Sequence, residues 1–159
     1  MHIIQYMTSP IPTSYQSCID NVRASIGDIP YTLHTSAPFE VEQQDDPRYA
    51  TDLVRLRLAA DNPDMVWIDA DTKIGPKGIF VPPADGFPYF MSSGGAAEIA
   101  VFYVNGNTDF FKEMLAAFDA EPKLHHLFWP QYMINARMRG RYKLIPDGHF
   151  VHLGLHRTI

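Results

Sequence analysis

The amino-acid sequence predicts an α/β fold with a mostly parallel sheet, and three observations carry that expectation. The chain opens as strand, helix, strand: an apolar His2–Met7, a helical spacing of Tyr15, Ile19, Val22 and Ile26, and an extended Pro30–Thr35. A β-α-β start favours parallel pairing, because the crossover helix returns the chain in the same direction. Further on, Met65-Val66-Trp67-Ile68 is an unbroken apolar run that ends at Asp69-Ala70-Asp71. A short continuous run of this kind reads as a strand buried on both faces.

Each element has a local cause. Ser9-Pro10-Ile11-Pro12 is a turn, and Thr13 with Gln16 fits a capping box opening the first helix, which Gly27 stops. Residues 36–46 form a polar connection. Asp46 is then a suitable N-cap and Pro47 a suitable first residue for a helix running to about Ala60, before Asp61-Asn62-Pro63. Tyr49, Leu53, Leu56 and Ala60 are its apolar stripe. After the Asp-Ala-Asp stretch, Ile79–Pro82 reads as a short strand. Residues 83–97 combine prolines, glycines and serines around Phe87, Tyr89 and Phe90, the composition of a mobile loop. Glu98–Val104 is a further strand. Asn107 or Thr108 caps a helix whose Phe110, Phe111, Met114, Leu115 and Phe118 face the core. A helix from Pro130 to about Arg139 follows, then short strands at Tyr142–Pro146 and Phe150–Leu153, with His149, His152 and His156 close together.

Length and composition bound the function. At 159 residues the chain suits one domain, 1–159, with a sizeable core, and 46% hydrophobic content favours folding over disorder. A formal charge of −5 argues against general nucleic-acid binding. The single Cys18 excludes an intrachain disulfide and a multi-cysteine zinc site. No targeting segment and no membrane-length apolar run is read, so a soluble, cytoplasmic protein is expected.

The chemistry concentrates at Asp69 and Asp71. Carboxylates at the edge of a buried strand are costly unless something positive meets them. Ligands of open α/β sheets bind outside the carboxyl ends of strands. On a continued strand the two residues share a face at roughly 7 Å, within reach of one divalent cation. Three readings stay open. One is a sugar-nucleotide transferase, in which carboxylate-held Mn²⁺ or Mg²⁺ neutralises a departing diphosphate. Another is a haloacid-dehalogenase-like phosphatase, although Lys73 stands where that motif carries Thr or Val. The last is a non-catalytic sugar- or nucleotide-binding module, or a decayed transferase. Asp52 and Arg55, one helical turn apart, read locally as a surface ion pair.

Tyr49-Ala50-Thr51-Asp52-Leu53-Val54-Arg55-Leu56-Arg57-Leu58, followed by Val66-Trp67-Ile68-Asp69-Ala70-Asp71, resembles the sugar-binding-region glycosyltransferases with an Asp-x-Asp motif. These include initiating mannosyltransferases, capsular polysaccharide transferases and clostridial glucosylating toxins. Ile3-Ile4-Gln5, Pro10-Ile11-Pro12 and Tyr15–Asp20 resemble that family's opening, Glu98–Phe118 its later strand and helix, and Trp129-Pro130 its Gly-Pro helix start. Asp64-Met65 stands in place of the family's Gly-Gly, and Tyr6-Met7 near the place of its first-strand Trp.

The resemblance implies a GT-A-like three-layer αβα sandwich, a hexosyltransferase activity on a nucleotide-sugar donor such as a UDP- or GDP-sugar, a divalent metal, Mn²⁺ or Mg²⁺, and retention at the anomeric carbon. By position, Asp52 would bind donor-sugar hydroxyls and Arg55 the sugar-diphosphate region. Tyr6 would lie near the base, Asp69 would meet the ribose or sugar, and Asp71 would bind the metal, with Asp69 and Asp71 as the catalytic pair. His152, with His156 as the alternative, is the candidate third metal ligand beside Asp69 and Asp71. Asp52→Ala and Arg55→Ala are then expected to cost turnover far more than stability. The acceptor is not named, and the shortness of the chain leaves room for a partner or oligomer to supply its site.

Overall fold

A computed structural model describes residues 1–38, 47–120 and 129–155, without the side chains of residues 47–49 and 129. The expected cap at Asp46, the stripe position of Tyr49, the side chain of Trp129, His156 and most of the 36–46 connection lie outside the described residues. The elements in chain order are β1 (His2–Tyr6), α1 (Thr13–Ser25), β2 (Tyr31–His34), α2 (Pro47–Asp61), β3 (Met65–Ile68) and β4 (Thr72–Ile74). They continue with β5 (Tyr89–Ser93), β6 (Ala96–Tyr103), α3 (Thr108–Ala120), α4 (Trp129–Arg137), β7 (Lys143–Leu144) and β8 (Phe150–His152).

Six strands form one sheet in the order β2-β1-β3-β6-β5-β7, and β4 pairs with β8 in a second, two-stranded sheet. In the large sheet β1 runs parallel to β2 and β3, and β7 parallel to β5, whereas β6 is antiparallel to both neighbours. The expected α/β class with a mostly parallel central sheet is the one observed.

Strand alternation sorts the core into two layers. Ile4, Trp67, Phe90 and Phe102 pack against Leu53, Leu56, Phe110, Phe111, Met114 and Ile134 of α2, α3 and α4. Ile3, Val66, Ile68, Val101 and Tyr103 face the opposite way, towards Val22 and Ile26 of the α1 region. The first layer is dense in aromatics; the Phe102 and Phe111 rings stack at 5.0 Å. Each such fully buried side chain contributes on the order of 1.5–3 kcal/mol by its removal from water. This makes β3 and β6 the rigid centre from which the Asp69–Asp71 turn projects. Asn107 caps α3 as expected, its Oδ1 accepting the Phe110 N–H at 3.1 Å.

Four local expectations change. The Thr13–Gln16 capping box does not form: the N-cap is Pro12, without a side-chain cap bond, and Gln16 donates instead to Asp20 at 2.8 Å. Ile79–Pro82 is not a strand. The stretch 83–97 is not a loop throughout, because β5 lies inside it and joins β6 by a two-residue hairpin. Gly94 and Gly95 supply the two positive φ angles, 58° and 85°, that this turn needs. Finally, the 83–88 segment is tied down. Asp85 accepts from the Phe87 N–H at 3.0 Å, the Tyr89 hydroxyl at 2.8 Å and Lys143 Nζ at 2.8 Å. Lys143 above all holds the Asp85 carboxyl down at about 2.

Candidate active site

β3 ends at Ile68. The Asp69 N–H still reaches the Ala100 carbonyl of β6 at 2.8 Å, and the Thr72 N–H turns back to the Asp69 carbonyl at 3.0 Å. Asp69-Ala70-Asp71 is therefore a turn, not a strand continuation with both carboxylates on one face. Buried Gln5 braces it, donating to the Asp69 carbonyl at 3.4 Å while accepting from the Tyr31 hydroxyl at 2.7 Å.

The turn hands the chain to β4, and β4 pairs antiparallel with β8 so that Thr72 stands opposite His152. Asp71 anchors this return. Its carbonyl accepts the Leu153 N–H at 3.0 Å and its Oδ2 accepts the Leu155 N–H at 2.9 Å. The pairing brings residues 69, 71 and 152 to one point. His152 Nε2 lies 3.1 Å from Asp71 Oδ1 and 4.0 Å from Asp69 Oδ2, and its Nδ1 lies 3.0 Å from Glu98 Oε1. One ligand atom each from Asp69, Asp71 and His152 fall within 4.8 Å of one another.

This donor set fits a divalent ion. Two carboxylate oxygens and one imidazole nitrogen make a mixed O,O,N donor set of the kind that binds divalent metal ions. The electrostatics agree. Burial alone would push the His152 imidazolium pKa down, but hydrogen bonds to Asp71 and Glu98, and the charges of Asp71 and Asp69, raise it to about 10. A site that holds a proton this firmly concentrates negative charge, and a metal ion would compete for the same nitrogen.

Asp69 is held from behind. Its Oδ1 accepts from the Trp67 indole N–H at 2.7 Å and faces Arg55 Nη1 at 3.4 Å. Burial foremost raises the Asp69 pKa, against the lowering pull of Arg55. Arg55 also donates to the Ile99 carbonyl at 3.0 Å, pairs with Asp52 at 3.5 Å, and lies 5.2 Å over the Trp67 ring. Asp52 and Arg55 are only 6% and 7% exposed, so the local reading of a surface pair is overturned. They form a buried chain, Asp52–Arg55–Asp69, because α2 packs this part of its face on β3.

The structure thus joins Asp52, Arg55, Asp69, Asp71 and His152. Tyr6 lies on the neighbouring strand at the same sheet edge: Ile4 pairs with Trp67, which sets Tyr6 level with Asp69. Tyr6 is half-buried, and burial raises its hydroxyl pKa. His149 stands apart, with Nδ1 at 2.7 Å from the Gly78 carbonyl and its ring against Phe80. Glu98, Gln5 and the Trp67 indole join the site without a site role assigned to them from the sequence. A polar Gln5 inside the apolar Ile3-Ile4-Gln5-Tyr6 run, and Glu98 heading an apolar strand, were the available signals. No helix among the described residues is long and apolar enough to cross a membrane.

No family model and no curated protein matches the sequence. Among solved structures, the chain is similar to a glycosyltransferase involved in the glycosylation of the major capsid of PBCV-1. The TM-score is 0.66 at 14% identity, over 96% of this chain and 93% of that one. The likeness establishes a shared fold.

Proposed function

We propose that the chain is a single-domain, metal-assisted glycosyltransferase that takes a hexose from a nucleoside-diphosphate sugar, a UDP- or GDP-sugar, with retention at the anomeric carbon. The observation that carries this reading is the Asp69–Asp71–His152 cluster at the carboxyl end of β3, on a fold shared with a solved glycosyltransferase. Asp71, Asp69 and His152 would hold Mn²⁺ or Mg²⁺, which as a Lewis acid offsets the charge gathering on a departing diphosphate.

The protein's own contribution is preorganisation. Trp67 and Arg55 bind one oxygen of Asp69 and leave Oδ2 on the His152 side. Leu155 N–H and His152 occupy the two oxygens of Asp71, so its carboxylate is aimed before any ligand arrives. Such fixed dipoles need no reorganisation during reaction, and losing one costs on the order of 10²–10³ in rate in comparable oxyanion sites. Arg55 supplies positive charge beside the turn, and Asp52 fixes the guanidinium by its Nε edge. Tyr6, at the neighbouring strand end, offers an aromatic surface to the nucleotide base. By the family resemblance Asp52 would serve the donor-sugar hydroxyls and Arg55 the sugar-diphosphate region, and both lie buried behind Asp69.

The test is release of free nucleoside diphosphate across a panel of nucleotide sugars, with Mn²⁺, with Mg²⁺ and after chelation, with and without cell extract as acceptor source. Metal-dependent release supports the proposal. Binding of a nucleotide sugar without cleavage under every condition would point to a binding module. Hydrolysis of a generic phosphate ester would point to the phosphatase chemistry.

A further inference from the structure

His152 reaches the cluster on β8, a three-residue strand. Its backbone is positioned by pairing with Thr72, but pairing does not choose how the ring is turned. A neutral imidazole carries one N–H and one lone pair, and the hydrogen bond made by one nitrogen decides which is which. Glu98 makes that choice from the other side of the ring. It stands on β6 in the main sheet, opposite Met91 of β5, so it belongs to a different and firmer frame than β8. Its Oε1 is 3.0 Å from Nδ1, while Nε2 on the far edge faces Asp71 at 3.1 Å and Asp69 at 4.0 Å. The Glu98 side chain is 18% exposed and that of His152 14%, so water competes weakly for the contact.

We propose that Glu98 is a positioning residue for the metal site: it accepts the Nδ1 proton of His152 and aims the Nε2 lone pair at the ion held by Asp69 and Asp71. This rests on the metal-site reading given above. It adds a residue from a distant strand that makes the histidine a competent ligand. Carboxylates behind metal-bound imidazoles act in this way, and their loss typically costs about 10–100-fold in metal affinity.

The experiment measures Mn²⁺ affinity of the full chain by electron paramagnetic resonance of the free ion, with no donor present. Glu98→Ala, Glu98→Met and Glu98→Gln are compared with the parent, and each again in a His152→Ala background, with melting curves to confirm folding. Glu98→Ala should weaken Mn²⁺ by about 10–100-fold. Glu98→Met, similar in length but without an acceptor, should do the same and replaces the alanine variant if that one does not fold. Glu98→Gln should recover most of the affinity, because its amide oxygen still accepts. Without His152 none of the three should matter further. Unchanged affinity in the Ala or Met variant, a Gln variant as weak as Ala, or an equal loss in the His152→Ala background would each overturn the proposal. A parent that takes up no Mn²⁺ would instead overturn the metal-site reading, and this proposal with it.

Discussion

Replacing Arg55 by Met should unfold the protein more than it disturbs any surface. The guanidinium is the positive group between two carboxylates, 3.5 Å from Asp52 and 3.4 Å from Asp69, and it satisfies the Ile99 carbonyl at 3.0 Å. Methionine fills much of the volume but leaves both carboxylates without that charge. Breaking a buried pair by removing one partner costs about 3–5 kcal/mol. The Asp69 side chain is 21% exposed, so water recovers part of the loss and the lower end, about 3 kcal/mol, applies. For a chain of 159 residues this lowers the melting temperature by about 6–12 °C. Adding Asp52→Asn to Arg55→Met should return part of it, since one of the stranded charges is gone. Differential scanning calorimetry of parent, single and double variants is the assay. A single variant that melts within about 2 °C of the parent would refute the claim that Arg55 is the buried counter-charge. The burial also revises the expectation that Arg55→Ala and Asp52→Ala would spare stability while costing turnover.

Two further outcomes follow from the same geometry. Asp71→Asn should bind Mn²⁺ poorly and lose nucleoside-diphosphate release by on the order of 10²–10³, in the assay proposed for the parent. It should also melt below the metal-free parent, because Asp71 Oδ1 pairs with His152 Nε2 at 3.1 Å and Oδ2 accepts the Leu155 N–H at 2.9 Å, and an amide loses the charge and offers only one acceptor. Tyr31, donating to Gln5, should titrate late. Burial pushes its hydroxyl from 10.0 up to about 12 against the lowering pull of Arg23. The unfolded chain releases this proton near its ordinary value, so the contribution of Tyr31 is full below about pH 10 and is lost as pH rises through about 12. Phenolate absorbance of the parent minus that of Tyr31→Phe checks this; a difference that titrates near pH 10 would contradict it.

The residues that announced themselves in the sequence did so through local patterns. The Met65–Ile68 run, the strand-helix-strand opening and Asn107 at the start of α3 rest on burial and capping within a few residues. Asp69 and Asp71 were legible because two acids after an apolar strand are an unusual placement, whereas His152 entered only as the third ligand that the family resemblance implies. What stayed hidden depends on partners far along the chain. The family resemblance marks Asp52 and Arg55, but by spacing alone they look like a surface pair, and their burial shows only when Trp67 and Ile99 arrive beside them. Glu98 acquires meaning only when β8 brings His152 against it. The strand at Tyr89–Ser93 was masked by its own turn residues. Gly94 and Gly95 signal flexibility by composition, yet here they make a tight hairpin.

The most direct test of the central claim is a crystal structure of the protein soaked with Mn²⁺ and a nucleotide sugar, with anomalous scattering locating the metal. A manganese peak coordinated by Asp71, Asp69 and His152 Nε2 is expected, with the diphosphate against it and the base towards Tyr6. The claim would be contradicted by an ordered nucleotide elsewhere, such as the small cavity lined by Met1, Asp64, Val81 and Asn105. A manganese peak away from the Asp69–Asp71 turn would contradict it as well.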